Sequence, residues 1–193
     1  MANGNHGKSA AWNAFAGLTP VFVFSSSLSI GMALGWTFLL VYGATSAIAL
    51  LLPPAMGRNR IFIFALIGSA LACSLSASFI RILDPFLFET SYRRLFLIAF
   101  TVPVLKSGLM PETIAERERA WENVVRGLGY ATTIVVFGAV REFMASGSIS
   151  ILAERVSTSL LPVMTQPSGA MLLLALAMAG SRLALKLAKG ADR

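Results

Sequence analysis

No Lys, Arg, Asp or Glu stands between Lys8 and Arg58, and two further stretches, 61–80 and 156–181, are equally free of charge. A helix that crosses a bilayer needs about 20 mostly apolar residues, because each residue rises only about 1.5 Å through a hydrocarbon layer about 30 Å thick. The first gap is long enough for two such crossings and each of the others for one. Of the 193 residues, 56% are apolar and 13% charged, whereas a water-soluble domain carries roughly 25% charged residues. Charges this sparse cannot cover the core of a chain this size, so hydrocarbon is the expected solvent for most of its surface. The expected fold class is all-α, a polytopic membrane protein in contact with lipid.

The net charge of +7 does not point to nucleic acid. Lys and Arg are scattered singly between apolar runs, without a basic face or a stripe interleaved with aromatics. They fit instead the positive bias of cytoplasmic loops. The single cysteine, Cys73, lies in an apolar run, and the single histidine, His6, lies in the polar N-terminal tail. One thiol makes neither an internal disulfide nor a multi-cysteine metal site, and Cys73 reads most simply as a small packing residue. The first eight residues lack the charged, apolar and small-residue succession of a cleavable signal, so none is expected.

Along the chain, a polar tail (1–11) precedes six apolar segments and a short tail (188–193). The segments run at about 12–26, 32–52, 61–80, 95–110, 127–143 and 161–187. Pro20 falls within the first and Pro103 within the fourth; each removes a backbone N–H and disturbs the preceding turn. Both segments are therefore expected to be broken helices. Ser25-Ser26-Ser27 marks a turn, Pro53-Pro54 stops the second span, and Gln166-Pro167-Ser168-Gly169 interrupts the sixth early. Residues 81–94 read as a mixed connection, 111–126 as a solvated surface helix or loop with charges at helical spacing, and 144–161 as a loop. Gly31, Gly35, Gly127 and Gly129 are expected to let helices approach closely rather than bind phosphate.

Thr37-Phe-Leu-Leu-Val-Tyr-Gly43-Ala44 matches Thr132-Thr-Ile-Val-Val-Phe-Gly138-Ala139, and a proline-bearing segment precedes each copy. Three spans per copy is an odd number, so the halves, about 12–82 and 92–187, must insert in opposite directions. Inverted repeats with interrupted helices at matching places point to a site near the bilayer midplane. Eleven of the 16 Lys and Arg fall on the side of the two termini, which places both termini in the cytoplasm.

Gly17-Leu18-Thr19-Pro20, Ile30-Gly-Met-Ala-Leu-Gly35, Gly138-Ala-Val-Arg141-Glu142-Phe143 and Pro167-Ser-Gly169-Ala170 together resemble the membrane subunits of the Rnf/Nqr family, in particular its paired six-span members. The resemblance covers nearly the whole chain. It implies six transmembrane helices as two inverted three-helix repeats with broken first and fourth helices, in a bacterial inner membrane. It also implies a homologous six-span sister subunit and further subunits of an ion-translocating electron-transport complex. In such pairs each subunit gives two cysteines to an iron–sulfur centre, a role that needs thiolate. Here the first of those positions is Thr19 and the second is approximately Lys106, and no cysteine occurs in either segment. A hydroxyl and an ammonium do not replace thiolates on iron. The chain is therefore expected to bind no cofactor alone, with iron–sulfur and flavin groups on other subunits, and to be at most a non-catalytic subunit of an oxidoreductase. The other reading is a diverged, non-redox paralogue acting as transporter, channel or assembly factor.

Six residues are the candidates for a broken-helix site or ion path: Thr19, Pro20, Pro103, Lys106, Arg141 and Glu142. Thr19-Pro20 and Val102-Pro103 read as non-helical backbone at membrane depth, tolerated where protein buries it or it lines a cavity. Lys106 is either a cation standing where the cluster would be or a lysine reaching the headgroups. Arg141-Glu142 is either a gate or an ion pair anchoring the far interface.

Overall fold

The computed structural model describes residues 18–52, 58–109, 120–147, 149 and 161–191, and among them every regular element is helical. The elements are α1 (residues 18–24), α2 (Leu28–Leu51), α3 (Arg58–Leu83), α4 (Pro85–Leu109), α5 (Ala120–Ser146), a 3-10 turn (Pro162–Thr165) and α6 (Pro167–Ala191). Three of the helices are long and apolar enough to cross a membrane, over Leu28–Ile48, Asn59–Leu83 and Val124–Ser146. That is fewer than the six spans expected. Charge accounts for part of the difference: α4 carries Glu89, Arg93, Arg94 and Lys106, and α6 carries Arg182, Lys186 and Lys189. The apolar part of α6 is the shorter stretch Pro167–Gly180. The two tails, 1–11 and 188–193, fall wholly or partly outside the described residues.

Helix ends follow local chemistry. Ser27 is the N-cap of α2, its hydroxyl accepting from the Ile30 N–H at 3.3 Å, the usual use of a serine at that position. A single residue, Asp84, joins α3 to α4. Its N–H donates to Ile80 O (2.8 Å) and closes α3, while its carboxylate accepts from Leu87 N (2.9 Å) and opens α4. Pro85 then occupies the first helical position, where a missing N–H costs nothing. Residues 81–94 are thus no mixed connection but the end of one helix and the start of the next. Gly147, at φ 72°, ends α5 in the left-handed conformation that glycine adopts without a Cβ penalty. Residues 120–126, expected as part of a surface segment, form the first turns of α5, and 111–119 lie outside the described residues.

The centre of the bundle is α2, which packs on α3, α4 and α5. Gly31 lies against Ile134 and Val135, Gly35 against Ala131 and Val135, and Gly127 against the Tyr42 ring, so α2 and α5 run antiparallel. A Cβ on Gly138 would stand 2.6 Å from Ser25 Oγ and 2.8 Å from Ser27 O, which is why no larger residue fits there. Gly129, expected in the same role, has open space around it. The matched octapeptides sit in this antiparallel pair, but in different surroundings: Thr37 is buried and Thr132 exposed, Gly43 is open and Gly138 closely packed.

Polar side chains inside the bundle are partnered. Thr37 Oγ1 and Ser76 Oγ are 2.7 Å apart between α2 and α3, and Cys73 Sγ donates to Leu95 O at 3.2 Å between α3 and α4. The outer faces are the reverse: Leu75 and Ile82 are 73% and 80% exposed, an apolar exterior suited to lipid.

The expected break at Val102-Pro103 does not occur, for α4 is continuous through Pro103. Proline at 103 leaves the carbonyl of Ala99, one turn back, without its helical donor. Ser69 on α3 offers the missing hydrogen bond, its one hydroxyl proton placed between Ala99 O and Leu66 O, each 2.7 Å from Oγ. Neighbouring hydroxyls restore such freed groups in apolar surroundings. A double-mutant cycle tests this compensation. Ser69→Ala is expected to cost about 1–3 kcal/mol, the penalty of an orphaned buried acceptor. In a Pro103→Ala background, where the backbone N–H returns, that cost should fall close to zero in thermal unfolding in detergent.

Candidate functional site

Two interruptions of the chain meet at the end of α5. The first is residues 25–27, between α1 and α2. Three successive serines offer the backbone local hydrogen-bonding alternatives to helix, and α1 closes with Ser25 N donating to Val21 O (3.1 Å) and Phe22 O (3.2 Å). The second lies between the 3-10 turn and α6, where Gln166 is extended and Pro167 begins the new helix. Here Gly169 packs so closely on the backbone of Val163 and Met164 that a Cβ would stand 2.6 Å from Met164 Cα. Both interruptions leave carbonyls that no helix satisfies.

Arg141 fills that need. It is 1% exposed, and its planar guanidinium donates to both interruptions. Nη1 reaches Val23 O (2.8 Å) and Ser25 O (3.2 Å), Nε reaches Met164 O (2.6 Å), and Nη2 reaches Gln166 O (2.7 Å). Five N–H groups in a fixed fork make arginine the side chain able to serve several carbonyls at once. A second guanidinium joins it: Arg94 Nη1 donates to Phe24 O (3.2 Å) and to Ser26 Oγ (3.1 Å). Both cations stand at the C-terminal end of α1, where the helix dipole is negative. Glu142 does the converse, accepting from Leu28 N at 2.7 Å at the positive N-terminus of α2. Ser25 Oγ adds a bond to Ile134 O at 3.4 Å. The junction therefore matches charge to dipole at each helix end.

The six residues singled out from sequence fall into three places. Thr19 and Pro20 lie within helical α1, half-buried and exposed respectively, so the backbone there is helical and the interruption comes later, at 25–27. Pro103 lies buried inside α4. Lys106 lies on the same helix, its side chain outside the described residues. They follow Arg94 by 9 and 12 residues, about 14 and 18 Å along a helix axis, which sets this part of α4 well apart from the junction. Arg141 and Glu142 are at the junction, with backbone groups as partners. Sequence reasoning missed Arg94 and Ser69. Arg94 looked like one charge among several in a connection, and Ser69 has a meaning only beside Pro103, which is distant in sequence.

The donor set does not fit an iron–sulfur cluster. Thr19, where the resemblance would imply a thiolate, brings a hydroxyl, and Cys73 is buried between α3 and α4 with its thiol on Leu95 O. Among the described residues no group of three or more His, Cys, Asp or Glu could hold a metal ion. Comparison with protein families, curated proteins and solved structures finds no match.

Because Glu142 accepts from the Leu28 N–H at the start of α2, beside the Ser27 N-cap, Glu142→Ala should lower stability by about 1 kcal/mol, a loss comparable to that of a removed cap. Glu142→Gln keeps an oxygen that can accept from Leu28 N and should retain most of it. Melting of the two variants in detergent distinguishes them, and equal losses would show that the carboxylate does something other than accept this bond.

Proposed function

We propose that this chain is an integral membrane subunit of an Rnf/Nqr-like, ion-translocating electron-transport complex, without iron–sulfur ligands of its own. The observation that carries the proposal is the junction. Gly138-Ala-Val-Arg141-Glu142, one of the segments in which the resemblance lies, holds two chain interruptions at one end of an antiparallel helix pair. Antiparallel α2 and α5 are what two oppositely inserted halves require, and they support a reading of six spans as two inverted repeats. On that reading α4 and α6 also cross the membrane, with their charges toward its faces or toward protein. The exposed apolar faces of α3 support contact with lipid or with a six-span sister subunit. The proposed location is the bacterial inner membrane, with both termini cytoplasmic.

One observation favours a second reading, a non-redox paralogue on the same scaffold. Thr19 and approximately Lys106 occupy the ligand positions, and the one thiol serves helix packing. On that reading the chain transports, conducts or assists assembly without passing electrons.

Co-expression with the neighbouring genes and purification in mild detergent decide between them. The first reading expects the chain to stay in the membrane pellet after an alkaline carbonate wash. It also expects co-purification with a second six-span homologue and with flavin-bearing subunits. A chain that stays monomeric beside its neighbours argues for the second. Stoichiometric iron that is lost on Thr19→Ala would overturn the ligand argument in both.

A further inference from the structure

We infer that Arg141 is a latch that makes the α1–α2 junction and the turn leading into α6 open and close as one unit. The inference needs only the geometry of the junction and stands whichever functional reading holds. The two sets of carbonyls, Val23 and Ser25 on one side and Met164 and Gln166 on the other, lie at opposite ends of the sequence. Their shared element is one side chain of α5. Nη1 serves the first set, while Nε and Nη2 serve the second. These nitrogens belong to one rigid plane. A rotation that carries Nη1 off Val23 O also swings Nε and Nη2 off theirs, so movement of the side chain disturbs both sets together. A partly released guanidinium would also be a buried charge with unfilled donors, a state costlier than either closed or fully open.

The surroundings give the latch leverage. The 3-10 turn is packed on α5, and α6 in turn packs against that turn. Gly169 locks the first turn of α6 onto Val163 and Met164, so the turn and the start of α6 move together. Arg94, by contrast, donates to the α1–α2 side, at Phe24 and Ser26. A displacement of α6, whose Met171, Leu172 and Leu176 are exposed, is therefore carried through Arg141 to α1, the helix bearing Thr19. This is a two-site coupling through one bistable contact, the physical form that allosteric linkage requires.

Hydrogen exchange of the full-length protein in detergent tests the latch, because each segment has its own reporting amides. Ser25 N–H reports the first, through its bonds to Val21 and Phe22. Met164, Gln166 and Gly169 N–H report the second, through Leu161, Val163 and Gln166. In the unaltered protein the two groups should open with the same temperature dependence, as members of one cooperative unit do. Arg141→Lys, which keeps the charge but loses the fork, should raise exchange about tenfold or more in both groups together. Arg94→Gln, which loosens the first segment directly, should raise it in both groups through the shared latch, and acceleration of the first group alone would overturn the proposal. Acceleration of a single group by Arg141→Lys, or independent temperature dependence in the unaltered protein, overturns the latch. Should Arg141→Lys fail to fold, the unaltered protein and Arg94→Gln still decide the matter.

Discussion

A helix that stops where no water can reach leaves carbonyl oxygens with nothing to accept from, and each costs free energy comparable to a lost hydrogen bond. Much of this structure answers that constraint. The chain departs from plain helical hydrogen bonding at residues 25–27, at Pro103 and at 165–166, and in each place a side chain from another element supplies what the backbone lost. Arg141 and Arg94 serve the first, Ser69 the second, and Arg141 again the third. The choice of donor follows the size of the gap. One freed carbonyl in an otherwise intact helix needs one hydroxyl. Two open helix ends, each with a dipole, need a charged fork.

The rest of the bundle is compatible with the same surroundings. Between helices that are apolar all round, hydrophobicity gives no preferred register, so packing of small residues and interhelical hydrogen bonds must set it. Gly31, Gly35, Gly127 and Gly138 bring α2 and α5 together, and Thr37 with Ser76, Ser69 with Ala99, and Cys73 with Leu95 fix α3 against its neighbours. The single cysteine thus acts as a short donor to backbone, a role that burial permits and that asks nothing of its redox chemistry.

What could be read from sequence followed the local nature of each signal. The charge-free runs marked α2 and α3 because lipid compatibility is a property of the run itself. Ser25-Ser26-Ser27 and Gln166-Pro167 marked chain interruptions because serine and proline act on their own backbone. Pro103 misled for the complementary reason. Its effect on Ala99 is local, but the remedy, Ser69, lies on the preceding helix and becomes visible only once α3 and α4 pair. Arg141 and Glu142 were recognisable as out of place in an apolar helix, yet the carbonyls and the N–H that they serve at the junction are backbone groups, which carry no sequence signature. Residues 81–94 read as a mixed connection, because Asp84 can be seen to close one helix and open another only once the two fold back at that residue.

On the proposed reading, the junction bears also on which of the segments quoted from sequence the fold itself requires. Gly138-Ala-Val-Arg141-Glu142 and Pro167-Ser-Gly169 are the segments that the fold itself needs. Gly138 admits the Ser25–Ser27 turn, Arg141 and Glu142 satisfy helix ends, and Gly169 lies on the backbone before it. A change at any of them leaves a collision or an orphaned polar group inside the bundle. Thr19 lies on α1, ahead of the interruption at 25–27. In that reading a chain of this architecture can lack thiols at its ligand positions and keep its fold, whereas loss of the arginine leaves the carbonyls of both interruptions without their donor. On the proposed reading, scaffold and redox chemistry are separable in this subunit, and what persists is the part that backbone hydrogen bonding in a nonpolar medium demands.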